Sequence, residues 1–252
     1  MKLIGKRLYY NVKTNETVGM WCEKIICDLV NIRFNTKRSY INITEYPLKL
    51  KDDLYNTLNE FLDTLQITKH IGNKNENCDF KCKNTTLSLK TNTSNFKVCP
   101  AKIGQTTLQK LNKHFKTNLT NKQFKEFIMS NTHNILTEYL IHSFTCDHLL
   151  SIKFDTGKVY YLKSVIEELE WLVNDYTFTC TLENWNESNT VKIKIDDKFV
   201  SLAEFQVHQN RNCIKCRFNF DTIILLIKSK FIKGVTLQEF DLKYKYTIKV
   251  IK

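Results

Sequence analysis

The sequence predicts an α/β or α+β protein with a β-rich part after about residue 145, and three observations carry that expectation. Apolar residues recur about every 3.6 positions over residues 18–32 and 54–65, which marks two amphipathic helices. The period then changes to strict alternation over residues 79–99 and returns to a helical one over 106–115 and 121–144. From there to the end, alternating runs dominate, as half-buried strands require.

Taken in order, the first helix places Val18, Trp21, Cys22, Ile25, Ile26, Leu29 and Ile32 on one face, with Thr17 as its expected cap and Glu23 and Asp28 on its polar side. The second repeats Leu54, Leu58, Phe61, Leu62 and Leu65. Residues 79–83 and 86–91 alternate on either side of Asn84-Thr85, the pattern of a β-hairpin, and residues 95–99 form a third strand ended by Pro100. A helical stripe of Phe124, Phe127, Ile128, Ile135, Leu136, Tyr139 and Leu140 follows. Residues 151–162 read as a hairpin turning at Asp155-Thr156-Gly157, and 164–173 as a short helix. Strands are expected at 178–182, 190–195, 203–208, 213–220 and 244–251. No repeat and no linker rich in Gly, Ser or Pro interrupts the chain, so it is read as a single domain over 1–252.

Composition narrows the function. The 252 residues carry 38 Lys plus Arg against 26 Asp plus Glu, a formal charge of +12 spread along the chain, with 42% hydrophobic residues. That hydrophobic content supports a core and excludes disorder, and no run approaches the ~18 apolar residues of a membrane span. A basic amphipathic helix or tail would suggest a membrane surface, whereas dispersed positive charge suits a polyanion such as DNA or RNA. The N-terminal residues lack the apolar stretch of a secretory signal, so the chain is read as intracellular and its nine cysteines as reduced packing residues. Zinc is the competing use of those thiols, through Cys213 and Cys216 or through Cys78, Cys82 and Cys99 with His70, but no paired second CxxC supports it.

Two constellations hold the chemistry. In the first hairpin, alternation puts Phe80, Cys82, Leu87 and Leu89 on the buried side, while Asp79, Ser88 and Lys90 face the other way and converge if the strands pair across the turn. A carboxylate that holds Mg2+ beside an ammonium that stabilises developing charge is what metal-dependent phosphodiester hydrolysis requires. In the second, residues 204–219 place Glu204, Gln206 and His208 on one face and Lys215, Arg217 and Asn219 on the same face of the returning strand, with Arg211 in the connection. These are the side chains that read base edges, and a two-stranded ribbon fits the major groove. No GxSxG, P-loop or GxGxxG is present.

Asp79 followed at nine residues by Ser88-Leu89-Lys90 resembles the PD-(D/E)xK motif of type II restriction endonucleases, in a variant where Ser replaces the second acid and Cys78 stands where Pro is common. The phrases LSLKTN and VCPAKIGQ, and the run AEFQVHQNRNCIKCRFNF, resemble the strands after the catalytic Lys and the late recognition strand of such enzymes. The resemblance implies a mixed central sheet flanked by helices, a catalytic core over about 17–145 and a DNA-recognition part over about 146–252. It implies Asp79 as principal Mg2+ ligand, Glu23 on the first helix as supporting carboxylate with Glu60 as its rival, Lys90 as electrostatic catalyst, Ser88 lining the site and Gln105 as an orienter. It further implies Glu204, Gln206, His208, Arg211, Lys215 and Arg217 as DNA contacts, double-stranded DNA as substrate, a homodimer, and a cognate DNA methyltransferase acting on the same site. A repair or recombination nuclease would share the catalytic hairpin without a base-reading ribbon, and a non-enzymatic binder would tolerate loss of Asp79.

Overall fold

The structure, a computed structural model, describes residues 2–4, 6–12, 14–35, 46–72, 77–93, 97–101, 103–208 and 212–250. Along the chain run β1 (Lys2–Ile4), β2 (Arg7–Val12), α1 (Asn15–Leu29), α2 (Leu48–Leu65), β3 (Ile67–His70), β4 (Phe80–Cys82) and β5 (Thr86–Asn92). Next come β6 (Lys97–Val98), β7 (Gln105–Thr106), α3 (Leu108–Phe115), α4 (Asn121–Ser130), α5 (Thr132–Ser143), β8 (His148–Lys153) and β9 (Lys158–Ser164). After a 3-10 turn at Ile166–Glu168 follow β10 (Glu170–Trp171), β11 (Tyr176–Phe178), β12 (Ser188–Ile195), β13 (Lys198–His208) and β14 (Cys213–Asn219). The chain closes with α6 (Phe220–Lys228), β15 (Ile232–Lys233), β16 (Val235–Asp241) and β17 (Lys245–Val250). These elements form two compact units, one of Met1–Asn95, Cys146–Ser164 and Thr236–Lys252, the other of Phe96–Thr145 and Val165–Val235.

The first unit is built on a mixed six-stranded sheet in the order β16-β9-β8-β5-β4-β3. β5 and β8 pair in parallel, Leu87 to Asn92 against His148 to Lys153, while β3 with β4, β4 with β5 and β8 with β9 pair antiparallel. A smaller sheet joins β1, β2 and β17, the last parallel to β2. Helix α1 packs across β5, where a Cβ on Gly19 would stand 3.5 Å from the Thr91 hydroxyl oxygen. The apolar stripes of α1 and α2 close one core with Leu8, Phe80, Leu87, Leu150, Phe154 and Tyr246, each buried Leu, Ile or Phe adding about 1.5–3 kcal/mol of burial. Asp53 interrupts the apolar face of α2 at 2% exposure. Its carboxylate accepts from the Lys243 N–H (2.7 Å), the Tyr244 N–H (3.1 Å) and the Tyr246 hydroxyl (2.7 Å), and so fastens the lead into β17 to α2.

The second unit holds an antiparallel sheet in the order β11-β12-β13-β14-β6, with β7 also pairing with β14. Its helices are α3 to α6. A capping box at Thr120 and Gln123 starts α4, and Tyr139 on α5 meets Phe205 on β13 edge to face at 5.8 Å between ring centroids. The α/β class expected from sequence therefore holds as six helices, a mixed sheet and a β-rich C-terminal antiparallel sheet among the described residues. No helix there is long and apolar enough to cross a membrane.

Several local expectations are corrected. Helix α1 begins at Asn15 because Thr14, not Thr17, takes the extended cap conformation and its side chain accepts from the Thr17 N–H at 3.3 Å. The helix expected over 121–144 is two helices, divided at Asn131. In place of a helix over 164–173 there is a 3-10 turn and a two-residue strand paired with β15. The apolar run at 222–227 lies in α6, capped by the Asn219 side chain.

The cysteines divide. Cys78 and Cys146 form a disulfide, contrary to the expectation that all nine are reduced thiols. Cys22, Cys27, Cys82 and Cys216 are free and buried, as packing residues should be. Cys213 and Cys216 lie three apart on the extended strand β14, so their side chains point to opposite faces and the CxxC pair cannot close on one ion.

Candidate active site and nucleic-acid interface

Strand β5 positions the first site. It lies between β4 and β8, so Leu87, Ser88 and Leu89 are all buried, and a polar residue among them needs an internal partner. The hairpin register supplies one. Phe80 faces Leu87, and the Asp79 N–H donates to the Leu87 carbonyl at 3.0 Å, which sets Asp79 across from Ser88. One carboxylate oxygen, Asp79 Oδ2, then accepts from Ser88 Oγ at 3.1 Å and from the Leu89 N–H at 2.6 Å. Lys90 Nζ lies 3.9 Å from the same oxygen, with side-chain exposures of 39% for Lys90 and 19% for Asp79. The structure thus brings Asp79, Ser88 and Lys90 together as alternation across a hairpin implies.

Glu23 sits on α1 with its Oε2 2.9 Å from His70 Nε2. His70 is fully buried at the end of β3, between Phe34 at 4.7 Å and Phe80 at 5.2 Å. Its other nitrogen, Nδ1, accepts from the Asn35 N–H at 3.1 Å, so a neutral ring carries its proton on Nε2 and donates it to Glu23. The chain then passes through Ile71 and Gly72, whose N–H groups both donate to the Asp79 carbonyl, at 2.8 and 3.0 Å. A Cβ on Gly72 would stand 2.9 Å from His70 Nε2 and 3.0 Å from Glu23 Oε2. Gly72 is therefore the spacer that lets the Glu23–His70 pair lie against the backbone that anchors Asp79. Sequence reading weighed His70 only as a metal ligand and passed over Gly72. Glu60, the rival acid, is exposed on α2.

The hairpin is braced at its far end by Asp147, which accepts from the Thr86 N–H (2.7 Å) and the Thr86 hydroxyl (2.8 Å). Burial would raise the Asp147 pKa, but these hydrogen bonds outweigh it and hold the carboxyl below its ordinary value. The disulfide ties the residues directly before Asp79 and Asp147 to each other.

The second site is the β13–β14 ribbon. Its register pairs Glu204 with Arg217, Gln206 with Lys215 and His208 with Cys213. Burial alternates along both strands, so Ala203, Phe205, Val207, Ile214, Cys216 and Phe218 face the core and the polar set shares the opposite face. Glu204 is the hub of that face. It accepts from Lys97 Nζ (2.6 Å) and Arg217 Nη2 (2.9 Å) on Oε2 and from Gln206 Nε2 (3.0 Å) on Oε1. Burial alone would raise its pKa; the Lys97 and Gln206 hydrogen bonds and the nearby Arg217 charge lower it. Lys97 went unnoticed in the sequence because it arrives on β6, paired with β14 across more than a hundred residues. His208 Nδ1 is 3.5 Å from Glu187, and Arg211 falls outside the described residues. Gln105 belongs to the second unit, where β7 sets it opposite Lys215 on β14.

No family model matches the chain, and no solved structure does. Among characterised proteins it is 31% identical over 226 residues to the type II restriction enzyme CviAII of Paramecium bursaria Chlorella virus 1. The aligned region covers 87% of this chain and 63% of that enzyme, so the chain spans under two thirds of its relative's length. The resemblance read from the catalytic and recognition hairpins is thus matched by similarity along most of the chain: it is a homologue of a type II restriction enzyme.

Proposed function

We propose that this chain is a type II restriction endonuclease of the PD-(D/E)xK fold, in its SxK variant, which cuts both strands of duplex DNA at a short site by Mg2+-dependent hydrolysis. The observation that carries this reading is the convergence of Ser88 and Lys90 on one oxygen of Asp79, in a homologue of a restriction enzyme. Asp79 and Glu23 fit Mg2+ in kind, since both are carboxylates on partly exposed side chains, at 19% and 17%, and hard cations take oxygen. Bound there, the ion would polarise the scissile phosphate and offset charge on the leaving oxygen.

The remaining work falls to the chain's own groups. Ser88 Oγ and the Leu89 N–H hold the Asp79 carboxylate in one orientation. Lys90 presents a cation beside it, where it favours the negative charge that grows on the phosphate oxygens as water attacks phosphorus and the ester oxygen departs. His70 holds Glu23 as the supporting carboxylate. On the ribbon, Gln206, Lys215 and Arg217 read base edges, Glu204 orients Arg217 or accepts from a cytosine amino group, His208 and Arg211 contact the DNA around them, and Gln105 is kept as an orienter. A palindromic target is matched by a two-fold dimer, and a methyltransferase of the same specificity would protect the host's own sites. Digestion of a DNA of known sequence with Mg2+, followed by sequencing of the ends, tests the proposal. Discrete fragments sharing one end motif, abolished by EDTA, are expected; a smear with random ends, or no cutting, overturns it.

A further inference from the structure

The second unit contains a cluster that neither the hydrolytic site nor the polar ribbon uses. Glu138 and His142 stand one turn apart on the same face of α5, and His114 reaches them from the last turn of α3. His114 Nε2 lies 2.9 Å from Glu138 Oε1, and His142 Nε2 lies 3.3 Å from the same oxygen. The three donor atoms fall within 4.8 Å of one another, the only such group of three or more His, Cys, Asp or Glu side chains among the described residues. Ligand atoms about 2.0–2.1 Å from a tetrahedral ion stand roughly 3.3 Å apart, so the observed spacing needs little adjustment to enclose one.

We propose that His114, Glu138 and His142 bind a single transition-metal ion of the zinc class, in a site with two imidazoles, one carboxylate and an outward position left for water. Imidazole favours zinc and its neighbours over Mg2+, which separates this ion from the one proposed at Asp79. Access is retained, as side-chain exposures of 28%, 37% and 14% for His114, Glu138 and His142 leave the cluster partly open. Phe115 backs it with an aromatic wall, 4.9 Å from the His114 ring and 6.5 Å from Tyr139 between centroids. Such an apolar shell strengthens the attraction between ion and ligands.

Position gives the ion a role. Helix α3 follows directly on β7, which pairs with Lys215 on β14, and α5 carries Tyr139 against Phe205 on β13. An ion between α3 and α5 joins the two helices attached to the strands of the polar ribbon, and acts as a structural clamp on that unit.

The test uses full-length protein stripped with EDTA, loaded with ZnCl2, desalted and assayed for metal. One equivalent of zinc is expected to remain, with a higher unfolding temperature than the stripped protein. His114→Ala and His142→Ala should each lose the metal, Glu138→Gln should retain less of it while keeping the parent circular dichroism, and Asp79→Ala should retain it in full. Loading with Co2+ instead should give a spectrum of nitrogen and oxygen ligation. Failure to retain zinc overturns the proposal. So does a full equivalent in the His114→Ala/His142→Ala double variant, or a thiolate charge-transfer band with Co2+, which would assign the ion to cysteine.

Discussion

Replacing Gly72 with Ala tests how the Glu23 carboxylate is held. The Gly72 backbone does not lie in the left-handed region, so alanine brings no conformational penalty and the cost comes from space alone. Its Cβ would stand 2.9 Å from His70 Nε2 and 3.0 Å from Glu23 Oε2. The imidazole cannot yield, since it is fully buried between two aromatic rings and tied through Nδ1 to the Asn35 N–H. Glu23 yields, because its carboxylate is the far end of a flexible side chain that is 17% exposed. The hydrogen bond of His70 to a charged acceptor is then lost, a contribution of roughly 1.5–3 kcal/mol. Partial rehydration of Glu23 brings the net cost to about 1–2 kcal/mol, which for a chain of this length lowers the melting temperature by about 2–8 °C. Thermal and urea unfolding of Gly72→Ala, Glu23→Ala and the double variant measure it, and the Gly72 cost should shrink by half or more once Glu23 is absent. DNA cleavage by Gly72→Ala should fall with the displaced carboxylate. Parent stability and parent cleavage in this variant would refute the assigned packing of Glu23 against His70 and Gly72.

Three further outcomes follow from the geometry. Asp53→Ala removes the acceptor of two part-buried backbone N–H groups and of the buried Tyr246 hydroxyl, so at roughly 1–3 kcal/mol for the buried donor and less for the two that water can reach, urea unfolding should show a loss of about 2–4 kcal/mol. The folded pKa of Asp147 lies below its unfolded value; its stabilising contribution is therefore complete above the unfolded pKa and is lost as pH falls through the folded one. In acid titrations of urea stability, Asp147→Asn should start less stable than the parent at neutral pH and converge with it once the pH has fallen through the lowered folded pKa of Asp147. Arg217→Ala should relax discrimination at one base pair of the target by roughly 5–150-fold, as expected for loss of about 1–3 kcal/mol of readout, in competition cleavage of single-base variants. Uniform weakening on every sequence, with a shallower salt dependence, would assign Arg217 to phosphate instead.

What could be read before the structure was local. Alternation over 203–208 and 213–219 placed each polar side chain on the right face because strand geometry repeats every two residues, and the short turn at 84–85 brought Asp79 opposite Ser88 by register alone. What escaped depends on partners distant in the chain. His70 meets Glu23 because β3 edges the sheet that α1 covers, Lys97 meets Glu204 through β6, and β5 lies parallel to β8, some sixty residues on. Cys78 and Cys146 are 68 residues apart, and no spacing rule selects that pair from nine cysteines. The pairing of Gln105 on β7 with Lys215 on β14, across more than a hundred residues, is likewise invisible to local alternation. The helix expected at 164–173 fails because Trp171 is claimed by an antiparallel partner, Ile232, that periodicity within one window does not see.

Asp79 is the residue proposed to carry phosphodiester hydrolysis. Single-turnover cleavage of a DNA bearing the target, with Mg2+ and equal concentrations of parent and Asp79→Ala protein, tests it most directly, with binding of the same DNA measured in Ca2+. Asp79→Ala is expected to bind DNA and unfold cooperatively like a folded protein but to cut at least about a thousandfold more slowly, a loss of some 4 kcal/mol of transition-state stabilisation. Cleavage by Asp79→Ala at the parent rate would contradict it.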